Sequence, residues 1–86
     1  MPRISQFYGI AIYMYYRDHM PPHFHAIYNE HEAEIDISTA AVTAGKLPRR
    51  ARGLVTDWAT THRDELQRNW DLARAGQPLS PIEPLE

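Results

Sequence analysis

The sequence predicts an α+β fold, a small antiparallel sheet of about four strands packed against one or two C-terminal helices. Two observations carry this expectation. Up to Asp36 the apolar residues alternate or run continuously and are rich in aromatic and β-branched types, whereas from Leu47 onward they recur at three- and four-residue steps. The segments are separated by proline- and glycine-containing stretches too short to divide a chain of 86 residues into two cores. The expected organisation is one domain over residues 1–77, followed by a proline-rich tail over residues 78–86 that packs on the domain or on a partner.

Residues Ile4 to Tyr16 read as two strands with a bend at Gly9. In the second, Ile10, Ile12, Met14 and Tyr16 alternate with Ala11, Tyr13 and Tyr15, so both faces are largely apolar, as in a strand inside a sheet. Pro21 and Pro22 remove two consecutive backbone donors, which makes the stretch before His23 a loop. A hairpin follows. With Asn29 and Glu30 as its loop, Tyr28 faces His31, Ala26 faces Ala33 and Phe24 faces Ile35. The other face then places His25 opposite Glu34, His23 opposite Asp36 and Ile27 opposite Glu32. A slip of one residue would mix polar and apolar groups on both faces, which selects this register although the turn lacks the favoured Asn-Gly.

Ser38 to Gly45 is a loose segment with room for a short strand around Val42. Leu47, Ala51, Leu54, Val55, Trp58, Ala59 and His62 then form the stripe of an amphipathic helix, with Pro48 in its first turn. Gly53 costs about 1 kcal/mol against alanine inside a helix, so it reads as a close packing contact with the sheet. A second stripe, Leu66, Trp70 and Ala73, runs to Gly76 as a C-terminal cap, with Thr60 or Thr61 as its N-terminal cap unless the two stripes form one bent helix. The tail repeats proline at 78, 81 and 84, with Leu79, Ile82 and Leu85 in step, the period of polyproline II. Its three aliphatic side chains share one edge, and such an edge docks on a surface.

Composition bounds the chemistry. The chain has no cysteine, so any metal is held by histidine and carboxylate, and a cytoplasmic home fits best. No stretch approaches the roughly 18 apolar residues needed to span a bilayer, and no targeting segment or membrane partner is expected. A formal net charge of −2 argues against indiscriminate binding to nucleic acid.

Four of the five histidines and all the acidic residues of the first half fall between Arg17 and Ser38. His23 and His25 share a strand face about 6 to 7 Å apart by the strand rise, beside Glu34 and Asp36. Two imidazoles and a carboxylate make a first shell for a divalent metal, zinc, iron, nickel or manganese, and His19 or Asp18 of the loop can supply another ligand. The candidate metal ligands are therefore His19, His23, His25 and Glu34, and the candidate acid/base residues are His23, His25 and Asp36. The bland alternative is a solvated hairpin face, because a strand His-x-His matches no specific metal motif.

Lys46, Arg49, Arg50 and Arg52 cluster at the start of the first helix, where positive charge opposes the macrodipole. They are candidate phosphate or nucleic-acid contacts, set against a solvated helix face or attraction to the acidic run from Glu30 to Asp36. Tyr13 and Tyr15 share a strand face, and if the helices cover the opposite face they form a partner surface.

The segments "PRISQFYGIAIYMYYRDHMPPHFHAIY", "EAEIDI", "GKLPRR", "LVTDWATTHRDEL", "NWDLARAG" and "PIEPL", in that order, resemble a family of small bacterial proteins catalogued as domain of unknown function 4160. The resemblance covers nearly the whole chain, and "DHMPPHFHA" is its most distinctive part. Arg52 and Thr61 depart from it where aliphatic residues are expected, as does Ala40-Ala41 where a glycine turn is common. The resemblance implies a component of a toxin-antitoxin-like or regulatory pair that acts by binding a protein partner, and it supplies no catalytic residues. The alternative read from the residues is a metal-binding or metal-dependent phosphodiester-cleaving protein. In it His23 and His25 are ligands or acid/base, Glu34 and Asp36 are ligands or orienters, and Arg49 and Arg50 grip phosphate.

Overall fold

A computed structural model of the chain describes residues 2–86. Five strands, β1 (Arg3–Phe7), β2 (Ile10–Tyr13), β3 (His23–Tyr28), β4 (His31–Asp36) and β5 (Val42–Gly45), form one antiparallel meander in sequence order. Two helices follow, α1 (Arg49–Thr61) and α2 (Arg63–Arg74). The fold is α+β. The count exceeds the expected four because the segment around Val42 pairs with β4, Ile35 opposite Val42 and Ala33 opposite Gly45, across an irregularity at Glu34/Ile35.

The β3–β4 hairpin adopts the register read from the sequence at all six positions, from Tyr28 opposite His31 to His23 opposite Asp36. Tyr8 and Gly9, both with positive φ, make the two-residue turn between β1 and β2. β2 is interior, between β1 and β3, but ends at Tyr13 instead of running to Tyr16. Its residues Ile10 and Ile12 join Phe24, Ala26, Ala33 and Ile35 as the buried face of the sheet.

Ala51, Val55, Trp58 and Ala59 of α1 and Leu66, Trp70 and Ala73 of α2 close the core over that face. Trp58 is its centre, with ring centroids 5.3 Å from Phe7 and 5.8 Å from Phe24. Two details of the helices differ from the sequence reading. Gly53 is exposed and a Cβ there would meet nothing within 4 Å, so it marks no packing contact. Thr60 and Thr61 do not cap α2; their hydroxyls donate back to the carbonyls of Thr56 and Asp57 inside α1, and His62 forms the joint, its Nδ1 2.6 Å from Glu65 Oε1. α2 ends as expected at Gly76 (φ +72), where the Gln77 N–H donates to Leu72 and the Gly76 N–H to Ala73.

The tail lies on the domain itself. Ile82 is buried and its N–H donates to the Ile4 carbonyl of β1, while Trp58 Nε1 donates to the Glu83 carbonyl. Leu79 and Leu85 pack partly buried against the core, in step with Ile82 as the proline period requires. Among the described residues no helix is long and apolar enough to cross a membrane.

Candidate metal centre

Strand alternation places His23 and His25 on the sheet face opposite Phe24 and Ala26, and the register brings Glu34 beside them. The loop from Arg17 to Pro22 then folds back so that Asp18 and His19 reach the same point. Asp18 Oδ2 lies 2.9 Å from His23 Nε2 and 3.1 Å from His25 Nε2. Glu34 Oε1 lies 3.6 Å from His23 Nε2 and 3.4 Å from His19 Nε2, and Asp18 Oδ1 lies 3.7 Å from His19 Nε2. Two groups, Asp18/His23/His25 and His19/His23/Glu34, each bring three donor atoms within 4.8 Å of one another, sharing His23.

The second nitrogen of each ring is also engaged. His23 Nδ1 lies 2.7 Å from the Pro21 carbonyl and His19 Nδ1 3.2 Å from the Met20 carbonyl. A carbonyl only accepts, so in both rings Nδ1 carries the proton and Nε2 is the nitrogen turned to the carboxylates. His25 Nδ1 lies 3.5 Å from Glu32 Oε2, a looser charge contact and not a hydrogen bond. With its Nδ1 held by the Pro21 carbonyl, His23 Nε2 can meet the Asp18 carboxylate as a donor carrying a second proton, or across a cation in that proton's place. Nδ1 held by an outer acceptor with Nε2 turned inward is how histidine ligates metals. Adjacent ligands of an ion held at about 2.05 Å stand about 2.9 to 3.3 Å apart, a range that the 2.9 and 3.1 Å separations from Asp18 to His23 and His25 meet as they also meet that of hydrogen bonds, and the nitrogen and carboxylate donor types suit a divalent cation.

The walls are aromatic. His23 is only 1 % exposed, between His19 (centroids 4.7 Å), His25 (5.1 Å) and Trp70 of α2 (5.2 Å). Tyr15 leans on His25 at 4.3 Å. His19 forms the outer side, its side chain 65 % exposed. Burial pushes the Asp18 carboxyl up, but hydrogen bonds from His25, the His19 backbone N–H and His23 outweigh it and hold the group below its ordinary value. The Met20 carbonyl, with Glu34 and Asp18, raises His19. Burial and the adjacent Glu32 carboxylate raise the Tyr15 phenol.

His19, His23, His25 and Glu34 are thus brought together. Asp36 is not: although opposite His23 in the ladder, its Oδ1 accepts from the Ser38 N–H, the Ser38 hydroxyl and the Thr39 N–H, which hold it in the turn after β4 and lower its pKa, Ser38 foremost. His31 pairs with Glu30 at the hairpin turn, away from the cluster. Lys46, Arg49, Arg50 and Arg52 are exposed around the start of α1 and take part in no ion pair among the described residues. Arg50 lines a cavity with Ile10, Tyr28 and Ala51, on the helix side of the sheet and not beside the histidines. Tyr13 and Tyr15 are half-buried, and Tyr15 is a wall of the cluster. Spacing alone offered Asp18 merely as an alternative to His19, and Glu32 and Trp70 carried no signal for this site.

No curated protein and no solved structure matches the chain. Residues 9–71 match the family described as Domain of unknown function (DUF4160), a span that includes every member of the histidine cluster and Trp70. With well over half of its length matched, the chain belongs to that family.

Proposed function

We propose that this protein binds a divalent cation through Asp18, His23 and His25, with His19 and Glu34 completing the surroundings. One observation supports the reading: three imidazoles present Nε2 to the carboxylates of Asp18 and Glu34, and in His19 and His23 Nδ1 is hydrogen-bonded to a carbonyl outside the cluster. Phosphodiester cleavage gains no support from the arginines, because Arg50 sits on the helix side of the sheet and the near surroundings of the cluster are Glu32 and Glu34. A cytoplasmic location belongs to the same proposal, favoured by the absence of cysteine. The test is NMR titration with zinc, manganese and nickel, following the imidazole nitrogens, with the His23→Ala/His25→Ala double variant as control. Saturable binding at micromolar metal that the double variant loses is the expected result. No response below millimolar metal would sink the reading.

A second reading is a partner-binding component of a toxin-antitoxin-like or regulatory pair, as the family resemblance implies. Tyr16 and Met20 support it, large apolar side chains left 42 % and 60 % exposed on the loop that also carries Asp18. Tyr13, Tyr15 and the tail are less available to a partner, being half-buried or packed on the core. A co-purified partner released by Tyr16→Ala/Met20→Ala but retained by Tyr13→Ala is expected, and retention by both variants would overturn this reading.

A further inference from the structure

We infer that a second site, on the opposite face of the sheet from the histidine cluster, binds small monoanionic carboxylates with an aromatic or branched aliphatic body, Arg50 holding the carboxylate. The site shares no residue with the histidine cluster, so it stands or falls apart from the cation-binding reading.

A cavity of about 320 Å³ lies at the end of the sheet where the β1–β2 turn, the last residue of β3 and the first turn of α1 come together. Ile10 and its β3 partner Tyr28 line the sheet side, and Ala51 and Leu54 line the helix side. Tyr8 of the turn adds a second aromatic ring. Walls of this kind receive an apolar body and leave orientation to a few polar groups. The volume equals the share of about ten waters in the liquid, so a ligand of about ten non-hydrogen atoms fills it.

The charge beside these walls is positive and unanswered. Arg50 is the one charged residue that lines the cavity, and it takes part in no ion pair among the described residues. Pro48, also in the lining, starts α1 without a side-chain cap, and the first turn carries no acidic residue, so the positive end of the helix meets no counter-charge of its own. Lys46, Arg49 and Arg52 lie outside the lining, so one positive side chain, not four, meets the head of the ligand. A guanidinium matches a carboxylate in a bidentate pair, whereas a dianion would keep an unpaired charge over apolar walls.

Tyr8 supplies an independent sign. Its φ of +49 is a left-handed turn conformation that favours asparagine or glycine and is uncommon for a bulky aromatic residue. Its ring is 56 % exposed, so the core gains little from it. A costly turn residue whose ring borders a cavity is accounted for by contact with what fills that cavity.

The test is an amide NMR titration of the full chain with four probes of similar size: phenylpropanoate, its neutral amide, the cationic phenylpropylamine and phenyl phosphate. Phenylpropanoate is expected to bind with Kd on the order of 0.1 mM, shifting the amides of Tyr28, Arg50 and Ala51, and the other three at least about tenfold more weakly. Arg50→Met keeps the apolar stem without the charge; it should weaken the acid about tenfold and leave the amide unchanged. Tyr8→Asn restores a favoured turn residue, so it should raise the urea midpoint while weakening the acid several-fold. Arg52→Met, exposed on the same helix, should bind the acid within about twofold of the wild type. Fluorescence of Trp58 and Trp70 checks the fold of each variant. Equal binding of acid and amide, tighter binding of the amine or the phosphate, or no saturable response below about 10 mM acid would each overturn the inference. So would unchanged affinity in Arg50→Met or Tyr8→Asn, or a loss in Arg52→Met as large as in Arg50→Met.

Discussion

Asn69 and Ser80 face each other as two strand residues would, the Asn69 amide donating to the Ser80 carbonyl at 2.8 Å and the Ser80 N–H donating to Asn69 Oδ1 at 2.9 Å. A buried side chain on α2 thereby holds the backbone of the tail in place, directly before Ile82 enters the core. Asn69→Ala should cost about 1–2 kcal/mol in urea unfolding, because two tail backbone groups lose their partner. Ser80→Ala should be close to neutral, since only its backbone takes part. Equal losses in the two variants would show that the tail is not held in this way.

The proposed cation site joins a loop to two strands, so an ion bound there should stabilise the fold. At a free concentration 100-fold above Kd the gain is about 2.7 kcal/mol, which raises the Tm of a domain this size by roughly 10–20 °C. The shift should vanish on adding a chelator and in His23→Ala/His25→Ala. Thermal scans showing no shift at saturating zinc, manganese and nickel would contradict it.

Gly53 and Gly45 should respond oppositely to alanine. At exposed Gly53, within α1, an added Cβ meets open space, and Gly53→Ala should stabilise by up to about 1 kcal/mol. At Gly45, with φ +69, a Cβ would overlap the Glu32 carbonyl, so Gly45→Ala should destabilise and disturb the β4–β5 pairing that carries Thr43 to Glu34. Denaturant midpoints of the two variants decide this directly.

Asp18 and Asp36 both have carboxyl groups held below their ordinary values. A carboxyl whose pKa is lower in the folded than in the unfolded chain stabilises the fold above the unfolded value, and that contribution disappears as the pH falls through the folded value. Unfolding free energy should therefore decline from about pH 5 toward pH 2. Asp36→Asn should be less stable at neutral pH and show a shallower acid decline than the wild type. A parallel decline in the variant would show that the turn after β4 contributes nothing to the acid response.

The sheet and helices were legible because alternation and helical period are local properties. Phe24, Ala26 and Ile35 had to share a face, and that fixed the β3–β4 register and the nearness of His25 to Glu34. The cluster was legible only in its strand part. Asp18 reaches His23 and His25 through the path of the loop between β2 and β3, which no periodicity describes, and Trp70 arrives from α2 through tertiary packing. Asp36 illustrates the converse: a ladder partner is a backbone relationship, and the nearby Ser38 and Thr39 donors outcompeted His23 for its carboxylate. Gly53 was read as a contact because a glycine inside a helix has a cost, yet that cost is met here without any packing return.

The placement of Ile82 against Ile4 also bears on how copies of the chain can associate. Open-ended fibre growth by strand addition requires each copy to offer two free sheet edges, one to receive and one to be received. With the tail hydrogen-bonded to β1 at Ile4, that edge is obstructed at one point and β5 at the opposite edge is the more open of the two. Two copies pairing through β5 would each use the same strand, a self-complementary contact that closes as a symmetric pair, whereas head-to-tail growth would have to displace the tail from Ile4.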